Sequence, residues 1–195
     1  MKQSKQEAVC EDRTFTGASQ PDANLTDRNF SGCVFRACDF SNGRLVRTTF
    51  ADCTFDGCNL SNIEIDGSRW QNVIFQNCKI MGLAWAKISP LLLYWEFRQC
   101  RIQLCNFSGL RMNRCRFAGS TVRESDFINV ELRKASFVES DLQGSKFHHA
   151  DLTEADFTNA RNYFIDLNSN QVKNAVFTLP EVLNLLAPFG LKIEY

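Results

Sequence analysis

The sequence predicts an all-β solenoid of square cross-section, and two observations on its periodicity carry this prediction. A large apolar residue stands at every fifth position from Leu25 to Trp85, and at 16 of the 17 corresponding positions from Phe97 to Phe177. A small residue, most often Cys, Ser or Ala, precedes most of these centres by two positions. A period of five fits neither the helical repeat of 3.6 nor the strand repeat of 2. The chain is therefore expected to turn a corner after every five residues, burying one large and one small side chain per side.

Residues 1–14 lack the repeat and are rich in charge, so they are expected to form an N-terminal cap or a flexible segment. A cap is needed at this end because an open solenoid presents a free sheet edge. The β-helix is predicted over residues 15–177, where the only polar centre of the second series is Asn162.

Between Trp85 and Phe97 the repeat slips by two residues, which predicts a bulge or loop over residues 86–96. Trp95 falls in the slot that usually holds Ala or Cys, so the coil there must distort. The segment either folds back on its own wall or protrudes as a contact element, since exposed apolar patches mark interaction sites. The candidate contact residues of a protruding loop are Pro90, Leu92 and Tyr94.

Residues 178–195 follow a different pattern, which predicts a short α-helix and a short strand. Thr178 and Glu181 have the spacing of a capping box, and Pro180 lies in the first helical turn. So short a helix is not stable alone, so its apolar face either caps the solenoid or is covered by a second copy. The predicted dimer interface consists of Leu179, Val182, Leu183, Leu186, Phe189, Leu191 and Ile193.

The nine cysteines are interpreted as small buried hydrophobic residues, because all except Cys10 fall in the small inward slot. Cys38, Cys58 and Cys78 recur at intervals of one four-sided coil and should stack one above another, and one such column cannot surround a metal. So many free thiols suit a reducing cytosol. We find neither a signal peptide nor an apolar run long enough to cross a membrane, so a cytoplasmic protein is expected.

The net charge is zero, but the charges are segregated along the chain. Residues 86–123 hold seven basic residues against one acidic residue, whereas residues 124–166 hold nine acidic residues against four basic ones. The sequence has two histidines, His148 and His149, and suggests no set of nucleophile, base and orienting residue around them. It also lacks a Gly-rich phosphate-binding loop. Neither an enzyme nor a cofactor is therefore predicted. Direct nucleic-acid binding is not expected either, because the phenylalanines that would stack on bases point inward.

Stretches such as Ala150-Asp151-Leu152-Thr153-Glu154 resemble the pentapeptide repeat family over about four fifths of the chain. That resemblance implies a right-handed quadrilateral β-helix with four pentapeptides per coil. At about 4.8 Å per coil, the repeats would form a rod roughly 36 Å long.

The tail is similar to a more specific group within that family. Phe177-Thr178-Leu179-Pro180-Glu181-Val182 and Gly190-Leu191 resemble the C-terminal dimer module of the Qnr, MfpA and AlbG group. Residues 162–166 and the slipped segment are most similar to AlbG-type albicidin-resistance proteins. This resemblance implies a head-to-head homodimer that imitates duplex DNA and binds DNA gyrase, with topoisomerase IV as a second target. Such a protein would protect the enzyme from quinolones or albicidin, as acquired resistance or as self-immunity.

A dimer joined through its tails would place residues 124–166, the acidic stretch, at its centre. The candidate gyrase-binding carboxylates there are Asp126, Glu131, Asp141, Asp151 and Asp156. The neutral net charge departs from the acidic character usual in DNA mimics of this group. A general interaction scaffold or effector with another partner therefore remains the alternative.

Overall fold

The structure is a computed structural model and describes residues 9–18, 21–89 and 93–192. It is a parallel β-solenoid whose strands are short and stack in register from coil to coil. The strands are β1 (Val9–Glu11), β2 (Thr14–Thr16), β3 (Asn29–Ser31), β4 (Val34–Arg36), β5 (Thr49–Ala51), β6 (Thr54–Asp56), β7 (Arg69–Gln71), β8 (Val73–Gln76), β9 (Lys79–Met81), β10 (Trp95–Arg98), β11 (Arg101–Gln103), β12 (Thr121–Arg123), β13 (Asp126–Ile128), β14 (Lys146–His148), β15 (Asp156–Phe157) and β16 (Val176–Phe177).

Each coil has four walls, and a residue usually pairs with the residue four pentapeptides further along the chain. We number the walls by their inward residues. Wall 1 contains Phe30, Phe50 and Trp70; wall 2 contains Phe15, Phe35 and Phe55; wall 3 contains Ile80, Ile102 and Val122; wall 4 contains Trp85, Phe107 and Phe127. The predicted quadrilateral β-helix and its five-residue period are therefore confirmed.

Wall 2 carries an unbroken column of phenylalanine rings along the bore. Neighbouring rings are stacked, with centroids between 4.7 and 5.4 Å apart. The column consists of Phe15, Phe35, Phe55, Phe75, Phe97, Phe117, Phe137, Phe157 and Phe177. Eight steps of that size give a rod roughly 40 Å long, at the usual strand-to-strand spacing.

The small inward slot is filled as the sequence predicts. The eight cysteines of this slot are buried, and all nine cysteines are free thiols. Their thiols reach the backbone of the preceding coil, as where the Cys78 Sγ donates to the Phe55 carbonyl at 3.3 Å. Burial raises the pKa of Cys53 and Cys105 to about 12 and about 11 respectively, so these thiols stay protonated and unreactive.

The solenoid begins earlier than residue 15, the boundary expected from the repeat. β1 pairs in parallel with β3, and this register places Cys10 beneath Phe30. Cys10 therefore occupies the large inward slot of wall 1. Residues 9–14 belong to the first coil rather than to a separate cap, and residues 1–8 lie outside the described part of the chain.

The predicted slip is present in the described residues on either side of residues 90–92. A 3-10 helix forms over Trp85–Lys87, and β10 then pairs with β8 so that Phe97 lies opposite Phe75, in a coil lengthened by two residues. Trp95 is fully buried, and its Nε1 donates to the Trp70 carbonyl at 2.8 Å. Of the predicted contact residues Tyr94 is exposed, whereas Pro90 and Leu92 lie outside the described residues.

A second irregularity, which the period did not predict, lies in the coil of residues 161–170. Tyr163, rather than the in-phase Asn162, fills the bore, and Ile165 pairs with Phe147, two residues short of the usual spacing. The usual spacing returns where Asp151 pairs with Gln171, so the phase shift is local. Asn162 points outward, with φ of 60°. The sequence signal for this phase shift is Asn162 itself, a polar residue at a position that is otherwise apolar. An inward Asn162 would be buried among aromatic rings, which is unfavourable.

The predicted C-terminal α-helix is wrong in type. The structure has a 3-10 helix over Glu181–Phe189. The capping box does not form, because the Thr178 Oγ1 accepts the Asn159 backbone N–H at 2.9 Å from the preceding coil instead. The helix lies on the end of the bore, with Leu185 buried against the core and Val182 packed beside it. The predicted final strand includes residues 193–195, which lie outside the described residues.

Candidate protein-binding surface

The outward carboxylates of the acidic stretch are largely engaged by cations of neighbouring coils. Glu131 on wall 1 accepts from the Arg111 Nε at 3.1 Å and from the Asn113 amide at 3.2 Å. Asp126 on wall 4 lies 4.0 Å from the Lys146 Nζ. These partners are separated by one coil or nearly so, because parallel coils place such residues side by side.

Asp141 on wall 3 is the most enclosed of the five carboxylates, only 5% exposed. The Arg123 guanidinium donates to its Oδ2, and the Asn162 amide donates to its Oδ1 at 2.9 Å. Burial would raise the pKa of this carboxyl, but the hydrogen bonds from Asn162 and Arg123 outweigh it and the pKa is lowered. Asp141 is therefore ionised at neutral pH and neutralised by its neighbour.

Asp151 and Asp156 differ in their partners. Asp151 lies one coil from Glu131 and accepts from the Arg133 Nη1 at 3.3 Å. Burial opposes ionisation of Asp151, yet the hydrogen bonds from Thr153 and the nearby Arg133 lower its pKa. Asp156 accepts the Thr158 backbone N–H at 2.9 Å and has no ion pair among the described residues.

Two arginines of the basic residues 86–123, Arg111 and Arg123, pair with carboxylates of the acidic residues 124–166, so the two stretches are joined rather than opposed. Arg111, Arg123 and Arg133 each belong to the coil preceding the carboxylate that they contact. The more exposed of these pairs, such as Arg111 with Glu131, contribute little to stability but reduce the field at a distance. The sequence held the signal for this pairing, since Arg111 and Glu131 are four pentapeptides, or one full coil, apart.

Among the described residues, the exposed large apolar side chains are most concentrated at the C-terminal end of the rod. Among the predicted dimer residues, Leu179 is 74% exposed, and Phe189 and Leu191 are also exposed. The remaining described members, Val182, Leu183 and Leu186, are partly buried, and Ile193 lies outside the described residues. Two residues that the sequence analysis missed, Phe164 and Val176, are exposed at the same end.

No group of three or more His, Cys, Asp or Glu side chains able to hold a metal occurs among the described residues. Within the same residues, no helix is long and apolar enough to span a membrane.

Comparison with models of known protein families supports the repeat that the five-residue period predicts. A model described as a pentapeptide repeat region matches residues 10–85, and a model of eight pentapeptide repeats matches residues 123–159. Together the two matches cover more than half of the chain. The chain belongs to the pentapeptide repeat family. A search of curated protein sequences finds no match.

Solved structures share the fold at low sequence identity. Two trypsin-treated variants of QnrB1, a plasmid-mediated fluoroquinolone resistance protein, superpose with TM-scores of 0.81 and 0.80 at 13% identity. The first match covers 96% of this chain and 98% of QnrB1; the second covers 97% and 100%. HetL, a pentapeptide repeat protein involved in regulating heterocyst differentiation in the cyanobacterium Nostoc, gives a TM-score of 0.67 at 15% identity, covering 90% and 87%. One fold therefore serves proteins of different roles.

Proposed function

We propose that this protein is a non-catalytic, DNA-mimicking dimer that binds DNA gyrase and protects it from topoisomerase poisons. The observation that carries the proposal is a four-walled rod whose C-terminal end is apolar and exposed. A fold shared with QnrB1 over nearly the whole chain supports this reading. The drug class, quinolone or albicidin-like, and the role of topoisomerase IV as a second target belong to the same proposal.

The dimensions support imitation of a duplex. The wall 2 phenylalanine column from Phe15 to Phe177 gives one rod a length of roughly 40 Å at the strand spacing. Two rods joined end to end would span roughly 80 Å, somewhat more than 20 base pairs at about 3.4 Å per pair.

The exposed apolar end supports the joining of two copies. Leu179 and Leu191 are exposed on either side of the 3-10 helix, and Phe189 is exposed at its last position. Phe164 and Val176 extend the same surface. A concentration of apolar side chains at one end of a polar rod is typical of an interface. The end-to-end arrangement is symmetric, so each copy would offer the same patch to the other.

The carboxylates near that end supply the charges that a DNA-binding surface would meet. Glu131 and Asp151 occupy the same outward column of wall 1 in adjacent coils. Each is partly engaged by an arginine at 3.1 and 3.3 Å, so binding to gyrase requires the enzyme's basic residues to compete with Arg111 and Arg133. The proposed mimicry therefore depends more on shape and less on free charge than in an acidic rod.

A charge-reversed variant tests the proposal directly. The double change Glu131→Lys and Asp151→Lys should abolish protection in a gyrase supercoiling assay run with albicidin and, separately, with a quinolone. The matched control is Glu64→Lys, which breaks an exposed pair of the same geometry between Arg44 and Glu64, 2.7 Å apart, far from the C-terminal end. Protection by the double variant equal to that of the wild type would contradict the proposal.

A general interaction scaffold is the second candidate, and the neutral, internally paired surface favours it. A scaffold has no need of self-association through its tail. Light scattering at micromolar concentration separates the two functions: a dimer that Leu179→Asp converts to a monomer supports the gyrase proposal, and a wild-type monomer supports the scaffold.

A further inference from the structure

We propose that a groove on wall 3 binds an acidic, extended peptide segment of a partner protein. The groove has a volume of about 590 Å³ and crosses β11, β12 and the next coil. This proposal does not depend on the gyrase proposal, because it names the chemistry of the bound segment and not the protein that carries it.

The groove forms because residues with small side chains lie between residues with long side chains on the outer face of wall 3. Thr121 and Gly144 form low points, while Arg101, Arg123 and Gln143 line the same depression with longer side chains. Its floor is the wall itself, where β11 and β12 pair in regular parallel register. Such a floor is rigid, and a rigid groove loses little conformational freedom when a ligand binds.

Among the charged residues that line the groove, Arg101 and Arg123 outnumber the single carboxylate, Glu124. Arg101 is exposed, and no acidic side chain among the described residues pairs with it. Arg123 binds Asp141, yet 42% of the Arg123 side chain remains exposed while its carboxylate partner is enclosed. Lys79 and Arg161 stand exposed in the same outward column as Arg101. An anionic group in the groove would therefore meet guanidinium donors, which bind carboxylates in a bidentate geometry.

Leu104, at the corner that borders the groove, supplies a second and independent observation. Its backbone lies in the left-handed region with φ of 54°, and its side chain is 53% exposed. Leu104 is the only large apolar residue among the non-glycine residues of the described chain that have positive φ. In the same corner column, Gly82 precedes it and Glu124 follows it.

Neither the conformation nor the exposure of Leu104 helps the fold. A bulky residue in the left-handed region is strained, and an exposed leucine loses the benefit of burial. Asn or Gly would suit this corner better, as at the equivalent corner residues Asn62 and Gly82. Leu104 is instead placed to contact the aliphatic part of the bound segment.

The same residues favour a peptide over a nucleic acid. An extended peptide presents alternate side chains to opposite sides, so one segment can offer an acidic group to Arg101 and an apolar group to Leu104. Glu124, which lines the groove and accepts from the Gln103 amide at 3.0 Å, confines the positive charge to Arg101 and Arg123. Such a pattern suits one or two spaced carboxylates better than a continuous phosphate backbone. None of the groove-lining residues is aromatic, so bases have nothing there to stack on.

The test uses the full chain and an array of peptides of about 12 residues, roughly 40 Å when extended. Acidic peptides with interspersed Leu and Val should bind, and peptides with Lys in place of the acids should not. Arg101→Glu should weaken binding of the best acidic peptide about tenfold in fluorescence anisotropy, as expected for loss of a charge-assisted contact. Leu104→Asn should also weaken binding without lowering the melting temperature.

Arg36→Glu is the matched control, since Arg36 is an exposed arginine on wall 2, away from the groove, and this variant should bind as the wild type does. Equal binding by Arg101→Glu and wild type, or no preference for acidic over basic peptides, would overturn the proposal. Tighter binding of an oligothymidine that displaces the acidic peptide would overturn it in favour of a nucleic acid. A Leu104→Asn variant that melts earlier but binds normally would show that Leu104 has a purely structural role.

Discussion

The regular coils of residues 97–157 and the two sites where the repeat slips fill the interior of the solenoid in different ways. In the regular coils each wall returns after four pentapeptides and equal rings stack on equal rings, as with Phe117 and Phe137, 4.9 Å apart. At the slips, one oversized side chain fills the bore, Trp95 in the first and Tyr163 in the second. The wall 2 column continues past both sites, with Phe75 and Phe97 4.9 Å apart and Phe157 and Phe177 5.0 Å apart. A local change of coil length or of phase is therefore tolerated where one wall stays continuous and keeps the register.

The largest effect is expected from breaking that wall in the regular region. Phe117→Ala removes a fully buried ring that stacks on Phe97 at 4.8 Å and on Phe137 at 4.9 Å. The rigid coils above and below cannot collapse into the space, so the free energy of unfolding should fall by about 3–5 kcal/mol. Urea denaturation followed by far-ultraviolet circular dichroism measures it. Tyr94→Ala, which truncates an exposed ring away from the C-terminal end, is the control and should have little effect.

A slightly smaller loss is expected at the first slip. Trp95→Cys restores the small residue that this slot holds elsewhere, but it leaves a cavity and the Trp70 carbonyl without its 2.8 Å hydrogen bond. The expected destabilisation is about 3 kcal/mol. Tyr94→Ala, at an exposed neighbouring residue, should unfold at the wild-type urea concentration. A Trp95→Cys variant as stable as the wild type would mean that the slip relaxes into a regular coil.

The regular coils could be predicted from the sequence almost completely, and the slips only in part. A period of five fixes wall, register and inward side chain together, so Cys38 and Phe55 were placed correctly. At the slips the period is broken. Whether Asn162 or Tyr163 points into the bore depends on the backbone shape of that one coil. The C-terminal helix was misjudged for a related reason: the Thr178 side chain contacts the preceding coil, a non-local partner that a capping motif does not reveal.

The candidate surfaces were less predictable than the core. The acidic residues are recognisable by type, but their neutralisation by Arg111 and Arg133 is recognisable only if the coil period is used to place residues of adjacent coils side by side. Leu104 gave no signal in the sequence, because its position in the repeat allows any residue and only its backbone conformation and exposure distinguish it.

A moderate, pH-dependent effect is expected at Asp141, which links a regular coil to the second slip through Asn162. Asp141→Asn should lower the free energy of unfolding by about 1–2 kcal/mol at pH 7, a value discounted because the Arg123 partner is partly exposed. The pKa of Asp141 is lowered below its ordinary value of 3.8, so the unfolded chain takes up this proton first as the pH falls.

The wild-type advantage over Asp141→Asn should therefore be full above about pH 5 and disappear as the pH falls through the lowered pKa. Urea denaturation at a series of pH values measures it. Asp126→Asn, whose exposed pair with Lys146 is 4.0 Å long, is the control and should show a smaller difference. If the difference in free energy of unfolding between the wild type and Asp141→Asn does not change with pH, the ion pair with Arg123 does not have this role.

The smallest effect, and the only stabilising one, is expected at the second slip. The Tyr163 hydroxyl is buried and has no hydrogen-bond partner among the described residues. Burying an unpaired hydroxyl costs about 1 kcal/mol, so Tyr163→Phe should raise the free energy of unfolding by up to that amount while keeping the ring between Phe157 and Phe177.

The pH dependence of this variant provides an internal check. Burial, together with the charge of Glu181, raises the pKa of Tyr163 from 10.0 to about 12. Above pH 10 the unfolded chain loses the proton first, so the wild type alone should lose stability as the pH rises from about 10 to about 12. The advantage of Tyr163→Phe should therefore grow over that interval. If instead the variant is less stable than the wild type at pH 7, the hydroxyl has a partner and the slipped coil is packed as tightly as its regular neighbours.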